Sequence, residues 1–421
     1  MKRHAVELLP LCLAACLFVA CQSESAPTST PPPAPAARAT TRWVPQHRDA
    51  TTSQAVAVRH LDDRIAEVER LLRHRPGDVK LTARLVGELS IQASRLGQLV
   101  ALDRMVALGE GAVTQHPDDP KAYALRARVR AAVHRFDEAL ADLDAAVERG
   151  LPASDTVGSR ASILLGLGRY DEALRAAEEA ETQRATSANV AVVAAILGHM
   201  ERYADAEARF RQAEALYRGV NPFDLAWIYF TWGQMWEHAG KVEEAALRYR
   251  AALDRLPGYA HAAGHLAGSL PDDEAVPLLE GIVASSDDPE YRAALASLRE
   301  RREPGTGRAL LAEATAGFAG LMTKHPHAFA DHAGWFYLRV DPDRAVEVAE
   351  LNLKARQPVE AYELLLAALS RAGESDEACR RADEALGRPY GTPALRRRAA
   401  DAYRRCGRAD EAEGLATPTR I

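Results

Sequence analysis

Histidines and cysteines are the side chains of this sequence best suited to chemistry, and they are unevenly placed. His261 and His265 stand four apart, so on a helix they share a face, a spacing that a zinc ion can use. No glutamate follows His261, so the helical zinc-hydrolase pattern is missing. His325, His327, Asp331 and His332 make a second cluster. The two clusters lie on separate stretches that need not meet, so no metal ligand is assigned. Metal binding or catalysis through them is carried as the alternative function. Five cysteines occur: Cys12, Cys16 and Cys21 near the N-terminus, and Cys379 and Cys406 far from it. Cys379 falls at the start of one expected helix and Cys406 at the end of the next, and antiparallel stacking would bring those ends together. A disulfide there suits an oxidising compartment, and two separate small buried residues are the other reading. No Gly-x-Ser-x-Gly elbow, phosphate loop, dinucleotide fingerprint or paired Cys-x-x-Cys motif is present. The expectation is a protein that binds rather than an enzyme, with no cofactor.

The elements that must position these residues are helices. Asp/Glu-x-Ala and related triplets recur, ending in Ala139, Ala173, Ala206, Ala245 and Ala275, and again in Ala345, Ala378 and Ala412. Successive spacings are 34, 33, 39 and 30, then, after a gap, 33 and 34. An ordinary helical bundle has no reason to keep such a period. Alanine, leucine, arginine and glutamate dominate, and only 6% of residues are aromatic, which favours helices over sheets. The net charge of -6 over 421 residues gives no electrostatic reason to expect nucleic acid.

The strongest copy of the unit is Tyr229 to Pro257. Trp232 and Trp236 lie on one face of a first helix, Gly233 and Ala245 are small enough for close helix approach, and Tyr249 and Ala252 face back from a second helix. Gly240 suits a left-handed helix terminus and Pro257 stops the second helix. This pattern resembles the tetratricopeptide repeat (TPR), whose period is about 34 residues. The resemblance is specific over 118–257 and 328–415. It implies an all-α fold, an α-solenoid of stacked antiparallel helix pairs forming a TPR superhelix. It also implies a concave binding surface lined by the first helices. In the central repeat the lining positions fall on Trp227, Phe230, Gln234, Glu237 and His238. Two large aromatics there fit a pocket for an extended peptide or an apolar side chain. The other reading is that Trp227 and Phe230 pack under the 219–224 insertion. The ninth positions, Arg128, Ser162, Ala195 and Gln234, include no asparagine, which argues against the carboxylate clamp of TPR co-chaperones.

The N-terminus reads as an export signal over residues 1–21. Lys2 and Arg3 are followed by an apolar run from Leu8 to Ala20, short for a membrane span. The run ends in Phe18-Val19-Ala20-Cys21, which resembles a bacterial lipobox, with Cys21 as the lipidated residue and Cys16 as the alternative. Gln22 after Cys21 resembles the signal that sorts proteobacterial lipoproteins to the outer membrane. Residues 22–51 form a Pro/Ser/Thr/Ala-rich tether without apolar periodicity, and Trp43 near its end is the first residue expected to dock. Degenerate helical repeats follow over 52–117, a TPR array over 118–284, and an irregular helical pair or hinge over 285–327. C-terminal repeats and a cap, basic at Arg396 to Arg398, occupy 328–421.

The reading is a lipid-anchored TPR scaffold of the bacterial cell envelope. It would sit in the outer membrane facing the periplasm and bind a protein or peptide partner, an assembly factor being the narrower form.

Overall fold

Helix starts and stops are written locally in this chain. A side-chain acceptor followed by proline recurs five times: Asp119–Pro120, Asn221–Pro222, Asp288–Pro289, Asp341–Pro342 and Thr392–Pro393. In each the acceptor takes a free backbone N–H of the first turn, while the proline needs no partner for the N–H it lacks. Gly97, Gly168 and Gly373 close helices in the left-handed conformation.

A computed structural model describes residues 43–416. The signal over 1–21, both candidate lipidation cysteines and the tether up to residue 42 lie outside the described residues, as do residues 417–421. The described chain is helical throughout. A lone helix, α1 (Gln54–His74), precedes ten antiparallel pairs. These are α2 (Val79–Leu96) with α3 (Val100–Gln115), α4 (Pro120–Ala132) with α5 (Phe136–Glu148), and α6 (Val157–Leu167) with α7 (Tyr170–Gln183). Next come α8 (Ser187–His199) with α9 (Tyr203–Leu216), α10 (Pro222–His238) with α11 (Val242–Arg255), and α12 (Ala260–Ser269) with α13 (Asp272–Val283). The last four are α14 (Pro289–Arg302) with α15 (Arg308–Lys324), α16 (Pro326–Val340) with α17 (Pro342–Ala355), α18 (Val359–Ala372) with α19 (Ser375–Leu386), and α20 (Pro393–Arg405) with α21 (Ala409–Ala416). Each helix packs on the next, and first helices of successive pairs also touch, as α8 does α10 and α18 does α20. This is an α-solenoid. Among the described residues no helix is long and apolar enough to cross a membrane.

Small residues set the spacing within pairs. A Cβ on Gly233 would lie 2.5 Å from the Tyr249 ring, so α10 and α11 touch through the glycine. The segment at 303–307 is a capped turn between α14 and α15. The Glu300 carboxylate accepts from the N–H of Gly305 at 2.8 Å and of Gly307 at 3.2 Å.

The array closes on itself. The Ser286 hydroxyl donates to the Gly97 carbonyl at 2.7 Å, and the Gln357 N–H donates to the Leu167 carbonyl at 3.1 Å. His325 Nε2 meets Asp103 at 2.8 Å, and Arg396 donates to Glu201 at 2.9 Å. These partners lie five to six pairs apart along the chain, so the later pairs fold back over the earlier ones. One apolar cluster accordingly runs from Trp43 to Ala412.

Candidate functional site

Closure decides what each expected site residue can do. Trp227 and Phe230, expected on an open concave wall, are 4% and 0% exposed. The Arg95 guanidinium of α2 lies 5.8 Å from the Trp227 ring and 5.7 Å from that of Tyr259. Phe230 packs against Tyr259, His265 and Tyr249, with ring centroids 5.1, 5.4 and 5.8 Å away. Gln234 is buried as well. Glu237 holds His265 Nδ1 at 2.6 Å and accepts the Tyr249 hydroxyl. The open groove is therefore corrected to interior: α2 returns against α10 and α12 and covers this wall. Of the five, Glu237 and His238 keep partly exposed side chains, at 26% and 17%.

The histidine clusters of the alternative function are likewise corrected. His261 Nδ1 bonds the Tyr291 hydroxyl at 2.8 Å, whereas His265 pairs with Glu237. His325 bonds Asp103, and His332 Nδ1 bonds Glu290 at 2.6 Å. Asp331 is spent on Arg356, and the pair is buried. These five groups thus have polar partners outside a shared ligand set, and His327, whose buried Nδ1 has no hydrogen-bond partner, joins none of them. None belongs to the group of three potential ligands, His199, His238 and Glu360, whose ligand atoms lie within 4.8 Å of one another among the described residues.

That group forms where α8, α10 and α18 meet. His199 and His238 are the last residues of α8 and α10. Glu360 is the second residue of α18 and is 7% exposed. His199 Nδ1 and His238 Nε2 face Glu360 Oε1 at 3.3 and 3.4 Å. Burial alone would raise the Glu360 carboxyl, but the two imidazoles outweigh it and hold the group well below the usual carboxylate range. Burial lowers His238, against the pull of Glu360. Tyr170 stacks on His199 at 5.4 Å, and its hydroxyl accepts the Val359 N–H at 3.2 Å, which fixes the start of α18. Beyond Tyr170 lies a surface cleft lined by Val359, Arg388 and Tyr390.

A second built site holds the chain's own N-terminal segment. Trp43 is 8% exposed and sits edge-on to Tyr229 and Trp232, with centroids 5.9 and 5.1 Å away. The Arg248 guanidinium lies 4.3 Å from the Trp43 ring. The N–H groups of Gln46 and His47 donate to Glu214 Oε1 at 2.6 and 3.0 Å, and the Tyr229 hydroxyl donates to the same oxygen at 2.8 Å. Arg255 donates to the carbonyls of Asp49 at 2.7 Å and His47 at 2.5 Å. The segment is held by main-chain bonds and one aromatic anchor, the terms by which an extended peptide is usually captured.

Cys379 and Cys406 are joined by a disulfide, with their Cα atoms 6.5 Å apart. His199 and Glu360 carried no motif in the sequence. A signal for the histidines was nevertheless there: His199 and His238 are 39 residues apart, the same step as Ala206 to Ala245, so they occupy one position in successive repeats. Nothing pointed to Glu360.

The class of protein follows from the chain's own geometry: an all-α solenoid of tetratricopeptide-type helix pairs. No family model matches the chain, and no curated protein matches it. Among solved structures, YrrB, a TPR protein with an unusual peptide-binding site, is 15% identical. Its TM-score is 0.28, covering 46% of this chain and 95% of its own. The structure of Naa15/Naa10 bound to HypK-THB is 14% identical with a TM-score of 0.25, covering 87% of this chain and 68% of its own. Both likenesses are too distant to carry an argument, and the class rests on the helix pairing seen here.

Proposed function

We propose that this chain is a protein-binding scaffold of the bacterial cell envelope, held at the membrane by a lipid on Cys21, with Cys16 as the alternative. It acts by binding a partner and not by catalysis. The observation that supports this best is the seat for residues 43–49, where α9, α10 and α11 capture an extended stretch through Glu214, Arg255 and the Trp43 slot. A surface that holds one such stretch suits an extended segment of a partner. The sequence features of residues 1–42 support export and anchoring, with the solenoid carried beyond the tether in the periplasm.

The test is crosslinking and capture from native membranes with the full chain and with Cys21→Ser. The reading expects the native form to bring down a partner and the mutant to leave the membrane fraction. If neither form captures a protein, the scaffold reading fails. Retention of the mutant on the membrane assigns the anchor to Cys16 or to an uncleaved signal.

A further inference from the structure

We propose that His199 Nδ1, His238 Nε2 and Glu360 Oε1 form a binding site for a divalent transition ion of the zinc class. This goes beyond the scaffold reading and does not depend on it. The first argument is geometric. The two nitrogens lie 3.3 and 3.4 Å from Glu360 Oε1, and the three ligand atoms fall within 4.8 Å of one another. Those separations are long for hydrogen bonds. They match the spacing of about 3.3 Å between neighbouring tetrahedral ligands whose bonds to zinc are about 2.0–2.1 Å long.

The second argument concerns Glu360 alone. Its Oε1 is buried and has no hydrogen-bond partner, although it points between two imidazoles. The two imidazoles at 3.3 and 3.4 Å offset the burial of this oxygen without a close hydrogen bond, and a shared cation would hold all three atoms directly.

Chemistry narrows the ion. Two imidazoles and one carboxylate favour zinc, cobalt, nickel or copper, whereas calcium and magnesium seek sets built from oxygen. The His199 and His238 side chains keep 24% and 17% exposure, so the site is reachable from solvent. A remaining position would take water or a donor from a bound partner. The three ligands come from two adjacent repeats and from α18, on opposite sides of the closure. A bound ion would therefore fasten the two halves of the array together.

The test uses the full chain purified without a histidine tag and stripped with a chelator. Zn2+ alone is titrated while bound metal and thermal stability are followed, for the native chain and for Glu360→Gln and His199→Asn. The expected result is one zinc per chain with a raised melting temperature, and affinity roughly 100-fold lower in either variant while far-UV dichroism stays unchanged. Co2+ titration of the native chain is expected to give a visible ligand-field band, a readout that needs no variant. Sub-stoichiometric zinc in the native chain, a missing cobalt band, or variants that bind as tightly as the native chain would each overturn the proposal.

Discussion

Trp43→Ala tests whether the segment before α1 is a working part of the fold. Trp43 is 8% exposed, so nearly its whole side chain is removed from water. About 200 Å² of apolar surface at about 25 cal/mol per Å² is roughly 5 kcal/mol gross, of which alanine would keep about 1. The Arg248 contact at 4.3 Å adds about 1–2 kcal/mol, because the cation is itself buried. Against this, the two or three residues freed next to Trp43 recover backbone entropy of about 1 kcal/mol each. The net expectation is a loss of roughly 3 kcal/mol, the low end of measured Trp→Ala costs in cores. For a body spanning residues 43–416, an unfolding entropy of about 2.1 cal/mol/K per residue converts this to a fall in Tm of roughly 4 °C. The assay is urea and thermal unfolding beside limited trypsin cleavage at Arg48, which should become fast once the segment is released. An unchanged Tm together with unchanged cleavage would refute the reasoning, since it would mean that the segment contributes nothing to the closed array.

Gly168→Ala probes the closure itself. The residue has φ +79°, and a Cβ there would lie 2.5 Å from the Gln357 carbonyl oxygen. A loss of roughly 2–4 kcal/mol is expected from backbone strain and the clash together. Gly373→Ala has the same left-handed geometry but nothing within 4 Å, so it should cost only about 1 kcal/mol. Equal costs by urea unfolding would count against closure through Leu167 and Gln357. The pH dependence centres on His332. Burial would lower it, but Asp331, Glu290 and Asp288 outweigh that and raise it to about 10. A raised value means that the stability it brings is complete below its ordinary 6.5 and is lost as pH climbs to about 10. The unfolding free energy should therefore fall across that window by roughly 2–5 kcal/mol, and His332→Gln should flatten the slope. A slope that survives in the variant would assign it to other groups.

The repeat was legible because its information is local. The period of the Asp/Glu-x-Ala triplets, the capping pairs such as Asn221–Pro222 and the glycine against Tyr249 all concern one helix pair or its neighbour. Helix boundaries and the all-α class follow from such short-range rules, whereas the seat of Trp43 on Tyr229, Trp232 and Arg248 joins residues far apart in the chain. Which face of the solenoid would be open was not legible. Each repeat adds a small rotation set by side-chain packing, and only the sum over five to six pairs brings α2 onto α10 and α12. That sum turned Trp227 and Phe230 from an expected groove wall into core. It also carried Glu360 to His199 and His238, two histidines whose shared repeat position the sequence already marked. No periodicity could join them to a carboxylate more than a hundred residues away. Tertiary structure alone decides that meeting, because it depends on accumulated geometry and not on any spacing along the chain.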